Sequence, residues 1–311
     1  MLAFRPKYQL AVWNVFNDPG EKVVLGAGEG RWLFYRQDVE FLVQPSPLDV
    51  RSAKLDNPIQ AILKFRDQLK AKGVELLVVI TPGKPSIYPE RLTGIDGLKL
   101  AGHGKAILDS LTKLGLNTVD LYTPLLSAKA DDAKLGALYL DDDTHWTPRG
   151  AELAAGEIAK KVNAMVDAGQ VNIGEPSMDY VVSDSLADRM GDIGEMSGLN
   201  KFNVFKAQQV TGHVVSPFKD DFRKSKILIL GDSFSRIYQT DSPVNAGWIA
   251  HFAKNISRPV SSIVSDGGAS TLVREKLARK AGVLKGKKLL IWEFVERDLR
   301  FGAEGWKTIE F

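Results

Sequence analysis

Asp143 and His145, separated by one residue in the run YLDDDTHWTPRG, and Ser233, in LILGDSFSR, supply an acid, a base and a nucleophile in two unrelated motifs. Serine-based acyl chemistry needs these three types. A free hydroxyl is a weak nucleophile, a histidine must take its proton, and a carboxylate must hold the imidazole in the useful tautomer. The chain has four histidines, and His103, His213 and His251 have no acidic residue two positions away, which leaves His145 as the base. Taken singly, a Gly-Asp-Ser tripeptide is more often a turn and an Asp-Asp-Asp run a solvated turn or capping cluster. The joint pattern, with each piece at the end of a predicted strand, is what points to a site. Asp141 and Asp142 hint at a cation, but no further ligands stand at a recognisable spacing, so neither a metal nor any other cofactor is expected.

The elements that must position these residues follow from apolar runs. Residues 226–230 read as a short buried strand ending in Gly231-Asp232-Ser233. The carboxyl ends of strands are where open α/β sheets place their ligand crevices. Gly231 permits a sharp turn there, and backbone N–H groups just beyond it can face a developing oxyanion. A second strand is expected over 136–140, and Thr147-Pro148 reads as a helix cap and first turn, leading through Ala151, Leu153, Ile158, Val162 and Met165 toward Gly169. The Asp-x-His pair then lies on a loop between a strand end and a helix start.

Beyond the motifs, Asp56-Asn57-Pro58 opens a helix whose Ile59, Ile62, Leu63, Phe65 and Leu69 share a face, and Gly73 stops it. Strands at 74–80, 117–121 and 288–294 and helices at 105–114 and 269–281 complete an alternation that predicts an α/β fold, a mainly parallel sheet flanked by helices. Residues 170–221, rich in Gly, Ser and Asp with little periodicity, read as a long irregular, lid-like insertion within a single catalytic domain of residues 1–311. No separate carbohydrate-binding domain is evident.

Asp143-Thr144-His145-Trp146-Thr147 followed by Gly231-Asp232-Ser233-Phe234 resembles the alginate O-acetyltransferase family, the AlgJ and AlgX type, within the SGNH (GDSL-like) hydrolase superfamily. Ordinary members of that superfamily carry the serine block first; here the order is reversed, as in the acetyltransferase branch. Gly30 to Phe34, Thr81-Pro82-Gly83-Lys84 through Tyr88-Pro89-Glu90, and Glu293 through Arg297-Asp298-Leu299 extend the similarity over most of the chain. The resemblance implies an SGNH-hydrolase-like sheet, with Ser233 as acyl-accepting nucleophile, His145 as general base and acid, and Asp143 as its orienter. It also implies transfer of an acetyl group to an exported polysaccharide, with a membrane-bound acyltransferase as partner and the periplasm as location.

The superfamily pattern is incomplete here. Gly267 or Gly268, after the apolar 262–264 segment, can serve as the oxyanion glycine, but no asparagine follows the last strand, which leads instead into Val295-Glu296-Arg297. Arg297 is a substrate contact or a structural ion pair, with the structural role favoured. Lys84 and Tyr88 are in the same way more often loop scaffolding than substrate ligands. Trp146, Phe234 and Tyr238 are candidates for stacking on a sugar, with apolar packing the default for each.

Composition agrees with an enzyme domain. A chain of 311 residues with 44% hydrophobic content can bury a substantial core. A net charge of +3, with no basic run carrying interleaved aromatics, argues against nucleic acid. The absence of cysteine excludes disulfides and thiolate metal sites. Residues 1–14 hold no apolar stretch long enough for a signal core or a membrane span. Taken alone this reads as cytoplasmic; the resemblance implies the periplasm, and an export or anchor segment outside this chain reconciles the two. Two alternatives to the transferase stay open: a carbohydrate acetyl esterase that resolves the same acetyl-serine with water, and a non-catalytic glycan-binding component that kept the fold.

Overall fold

A computed structural model describes residues 5–47, 57–100, 102–302 and 305–310. Its strands in chain order are β1 (Val23–Leu25), β2 (Leu33–Tyr35), β3 (Glu75–Thr81), β4 (Asn117–Val119), β5 (Val181–Arg189), β6 (Gln208–Ser216), β7 (Ile227–Gly231), β8 (Ser261–Val264) and β9 (Leu289–Val295). β3, β4, β7, β8 and β9 pair in parallel into one five-stranded sheet of order β4-β3-β9-β7-β8. The last strand of the chain therefore lies in the middle, flanked by the strand that carries the serine motif.

Both faces of this sheet are apolar, as a helix-covered parallel sheet requires. Leu77, Val79, Ile229 and Ile291 point to one side, where the Pro148–Asp167 and Trp248–Ile256 helices pack. Leu76, Val78, Leu228, Leu230, Leu290 and Trp292 point to the other, toward helices Pro58–Ala71, His103–Lys113 and Leu272–Arg279. Alternation of side chains along each strand produces this division, and each fully buried Leu, Ile or Val stabilises the fold by roughly 1.5–3 kcal/mol.

The expected helix starts are present. The Asn57 carboxamide oxygen accepts from the Ile59 N–H at 2.9 Å, and Gly73 ends the following turn with a φ of +68°. Asp56, the first residue of that predicted cap, lies outside the described residues. Thr147 Oγ1 accepts from the Gly150 N–H at 3.3 Å and opens the 20-residue Pro148–Asp167 helix.

Two expectations about local structure change. Residues 136–140 do not join the sheet: Tyr139 makes only an isolated bridge to Trp146. The backbone groups here find side-chain partners instead, because Tyr88 Oη accepts from the Leu138 N–H while Lys84 Nζ donates to the Leu140 and Asp141 carbonyls. Residues 170–221 are not irregular throughout. β5 and β6 form an antiparallel pair, nine residues each, with Arg189 opposite Gln208, and the Asp192–Ser197 helix follows β5. No helix among the described residues is long and apolar enough to cross a membrane.

Candidate active site

Ser233 stands immediately past the carboxyl end of β7, as the first residue of a single helical turn, Ser233–Arg236. Asp232 fixes the turn with both carboxylate oxygens. Oδ1 accepts from the Phe234 N–H at 2.8 Å and Oδ2 from the Val295 N–H at 2.9 Å, which ties the serine loop to the end of β9. Gly231 owes its place to close approach rather than to a left-handed backbone. A Cβ there would lie 2.0 Å from Ser235 Oγ, and its φ is not positive.

His145 and Asp143 arrive from the loop before the Pro148–Asp167 helix. His145 Nε2 lies 2.8 Å from Ser233 Oγ, and Nδ1 lies 2.7 Å from Asp143 Oδ1. The three residues predicted from two distant motifs are thus in a continuous hydrogen-bonded chain. Asp143 Oδ1 also accepts from the His145 backbone N–H at 2.9 Å, so the short Asp-x-His spacing folds the carboxylate back beneath its own imidazole. Asp143 is fully buried and His145 only 4% exposed.

Burial works against ionisation of Asp143, but the charge and hydrogen bond of His145 and the Arg189 guanidinium hold it well below the usual carboxylate range. Burial likewise opposes protonation of His145, yet the Asp143 charge and hydrogen bond, with Asp192 beyond, raise it above its ordinary value. A histidine–carboxylate pair of this kind can accept a proton from a neighbouring hydroxyl and return it.

Several contributors were not found by sequence reasoning. Arg189, at the end of β5, donates from Nε to Asp143 Oδ2 at 2.7 Å. Asp192, just past that strand, accepts from the Thr144 N–H at 2.7 Å and from its hydroxyl at 2.6 Å, and its Oδ2 is 3.7 Å from His145 Nδ1. Thr144 Oγ1 is itself 3.2 Å from His145 Nδ1. Glu293, inside β9, accepts from Thr81 Oγ1 and Ser235 Oγ at 2.6 Å each, and burial followed by the Asp232 charge pushes its carboxyl well above the usual range. A lone acid in the apolar run LLIWEFV was the available signal for Glu293; Arg189 and Asp192 had none.

Asp141 and Asp142 anchor the hairpin. Gln208 donates to both side chains, and the Asp142 carbonyl accepts from the Ile193 and Gly194 N–H groups at 3.1 Å each. Burial, then the charges of Asp141 and Asp143, push Asp142 up to about 6. Asp143, His145 and Asp192 bring donor atoms within 4.8 Å of one another. Asp143 already spends one oxygen on His145 and the other on Arg189, so the geometry is that of an oriented base rather than of a cation cage.

The structure does not bring Lys84, Tyr88, Trp146 or Tyr238 to a cleft. Lys84 is fully buried, its ammonium 3.0 Å from the Leu140 and Asp141 carbonyls, and burial lowers it to about 8. Tyr88 donates to Asp132 at 2.7 Å while accepting from Leu138. Trp146 packs edge-on against Phe234 at 5.1 Å between centroids, both rings fully buried, because apolar area so close to the sheet is better removed from water. Tyr238 is buried beneath the Arg189 guanidinium, which lies 5.5 Å from its ring centroid. Arg297 pairs with Asp38 at 2.9 Å and lies over the rings of Tyr35 and Phe234. Gly267, exposed with a φ of +60°, follows β8, the strand beside β7, whereas the Gly268 N–H is used by the Ser265 carbonyl at 3.0 Å. His213 and His251 have a carboxylate in space, Glu152 at 2.7 and 3.6 Å, but no serine contact.

Lys84→Met keeps the apolar stem and removes the donor. It leaves the buried Leu140 carbonyl without its donor, at about 1–3 kcal/mol, and the Asp141 carbonyl with the Leu33 N–H alone, and is expected to lower the melting temperature and, by loosening the Asp141–His145 loop, turnover as well. Thermal melts with and without the substitution check this; an unchanged Tm overturns the anchoring role.

Residues 25–296 match the family described as SGNH hydrolase-like domain, acetyltransferase AlgX. The chain is similar to a probable alginate O-acetylase AlgJ of Azotobacter vinelandii, with 30% identity over 312 residues, covering 92% of this chain and 72% of that protein. A protein of the same description from Pseudomonas fluorescens is 27% identical over 308 residues, covering 94% and 72%. Among solved structures, the O-acetyltransferase domain of Pseudomonas putida AlgJ superimposes with a TM-score of 0.67 at 23% identity, over 90% of this chain and 93% of that one, a likeness of fold.

Proposed function

The chain belongs to the SGNH hydrolase-like family of the acetyltransferase AlgX, and from that premise we infer that it moves acetyl groups onto hydroxyls of a secreted polysaccharide through an acetyl-serine intermediate. The observation that carries the chemistry is the Ser233–His145–Asp143 chain, at 2.8 and 2.7 Å. Ser233 Oγ attacks the acetyl carbonyl while His145 Nε2 takes its proton. The tetrahedral intermediate collapses as the imidazolium protonates the leaving oxygen, which leaves the acetyl ester on Ser233. An acceptor hydroxyl then gives its proton to His145 and attacks that ester, and the serine oxygen recovers the proton as it leaves. The Ser233 N–H, free of intrahelical bonding in the first turn, and the Gly267 N–H from the neighbouring loop are the candidate oxyanion donors.

The names of the AlgJ relatives support alginate, a polyuronate, as acceptor. In this reading the reaction lies in the periplasm, with a membrane-bound acyltransferase as the source of acetyl groups. The test is product analysis with a chromogenic acetyl ester, with and without polyuronate oligosaccharides. Acetylated sugar formed at the expense of free acetate is the expected result; acetate release indifferent to acceptor overturns transfer in favour of an esterase.

The pH dependence has a definite sign. His145 acts as base only when neutral, and its proton affinity is raised above the ordinary histidine value. Activity is therefore expected to be lost as pH falls through a midpoint above about 6.5 and to be retained on the alkaline side. A kcat/KM profile with its acidic limb below that value contradicts the assignment.

A further inference from the structure

A serine–histidine–carboxylate chain does not by itself require a cation on the far side of the carboxylate, yet Asp143 has one. Its Oδ1 serves His145, while Oδ2, turned the other way, accepts from Arg189 Nε at 2.7 Å. We propose that Arg189 is a positioning residue of the triad, clamping Asp143 so that the carboxylate orients the imidazole without holding the proton on it too tightly. The inference rests on the triad reading given above.

The clamp is built rather than incidental. Arg189 is the last residue of β5, its side chain only 13% exposed, and its strand partner Gln208 donates to Asp141 and Asp142, the residues just before Asp143. The guanidinium is backed by the Tyr238 ring at 5.5 Å and by Asp241 Oδ2 at 3.8 Å. A carboxylate held by one oxygen can swing about its last torsion; held by both, it has one orientation. Arginine suits this task because its donors form a rigid fork.

Charge gives the second half of the argument. Asp143 from its own loop, Asp192 from the segment after β5 and Asp232 beside the serine all face His145 and favour the imidazolium. Arg189 is the cation that opposes them most directly; Lys84 lies behind the loop, and Arg297 lies beyond Phe234, over its ring. With burial alone opposing them, these carboxylates would raise the proton affinity of the imidazole further and make it a poorer acceptor for the serine proton. Arg189 restores the balance from a segment outside both sequence motifs, which makes the hairpin part of the active site.

The test compares wild type, Arg189→Met and Arg189→Lys by kcat/KM against pH on a small acetyl ester and by NMR titration of the His145 imidazole. In Arg189→Met the acidic limb and the NMR midpoint are both expected to rise by about one pH unit, so that turnover on the acidic side falls ~10-fold with KM little changed. Arg189→Lys keeps the charge and is expected to return the midpoint toward wild type. A loss equal at every pH, an unmoved NMR midpoint, or a lysine variant that titrates like the methionine one assigns Arg189 to hairpin stability alone and overturns the proposal. If Arg189→Met does not fold, Arg189→Gln removes the charge, keeps an N–H donor and carries the same prediction. The NMR midpoint needs no turnover, so it decides on Arg189 even if ester cleavage proves independent of Ser233.

Discussion

Ser233→Ala is expected to abolish covalent acetylation of the protein and to lower acetyl-ester turnover by a factor on the order of 10⁶, with His145→Ala close behind and the double variant no worse than either. The reason lies in the geometry. Oγ and Nε2 are 2.8 Å apart, and the imidazole is nearly sealed from solvent, so no water takes over as base when either partner is removed. Asp143→Ala is expected to cost less, on the order of 10⁴, because Asp192 Oδ2 already lies 3.7 Å from Nδ1 and retains part of the orienting field. Intact-mass spectrometry after brief exposure to a chromogenic acetyl ester checks the first claim, and initial rates check the others. Equal acetylation of wild type and Ser233→Ala sinks the nucleophile assignment, and additive losses in the double variant argue against a concerted triad.

What was legible in the sequence and what was not follows a physical line. Strands β3, β7 and β9 are buried on both faces, so they announce themselves as apolar runs; the Thr147-Pro148 and Asn57-Pro58 caps announce their helices. Ser233, His145 and Asp143, which the fold brings into one hydrogen-bonded chain, could be singled out because each follows such a signal or abuts one. The hairpin was missed because β5 presents mostly exposed side chains, with no alternation for the eye to follow. Residues 136–140 look like a strand because they are apolar, but Lys84 and Tyr88, contributed from some fifty positions upstream, satisfy their backbone and remove the need for a sheet partner. The same non-local logic hides Arg189. Its contact with Asp143 exists only once β5 pairs with β6 and Gln208 reaches the Asp141 and Asp142 carboxylates. Aromatic residues near a motif misled for a related cause: Trp146 follows His145 directly and Tyr238 stands five positions after Ser233 in sequence, and the side chains at both positions turn into the core.

Gly231→Ala tests whether the floor beneath the nucleophile is as tightly specified as the triad above it. A methyl group there would lie 2.0 Å from Ser235 Oγ and 2.4 Å from Ser235 Cβ, closer than packed atoms tolerate, and 3.1 Å from Glu293 Oε2, a tight contact. Ser235 cannot simply rotate aside, since its hydroxyl donates to Glu293 at 2.6 Å and accepts from Trp248 Nε1 at 3.0 Å in a buried site. The strain must therefore pass into the Ser233–Arg236 turn and shift the nucleophile. Overpacking costs about 1–3 kcal/mol, and each buried partner left unpaired adds about 1–3 kcal/mol. A displacement of Oγ near 1 Å is enough to lose roughly 100-fold in rate. Gly231→Ala should accordingly lower both Tm and kcat, whereas Gly267→Ala, where the space is open and only the φ of +60° is unfavourable, should cost about 1 kcal/mol and spare the fold around the serine. The diagnostic experiment adds Ser235→Gly to Gly231→Ala. Removing the atoms that collide should recover part of the rate and stability, a coupling that independent effects do not produce. A Gly231→Ala protein with wild-type Tm and turnover means that the serine turn adjusts freely, and that Asp232 alone, through Phe234 and Val295, holds the nucleophile in place.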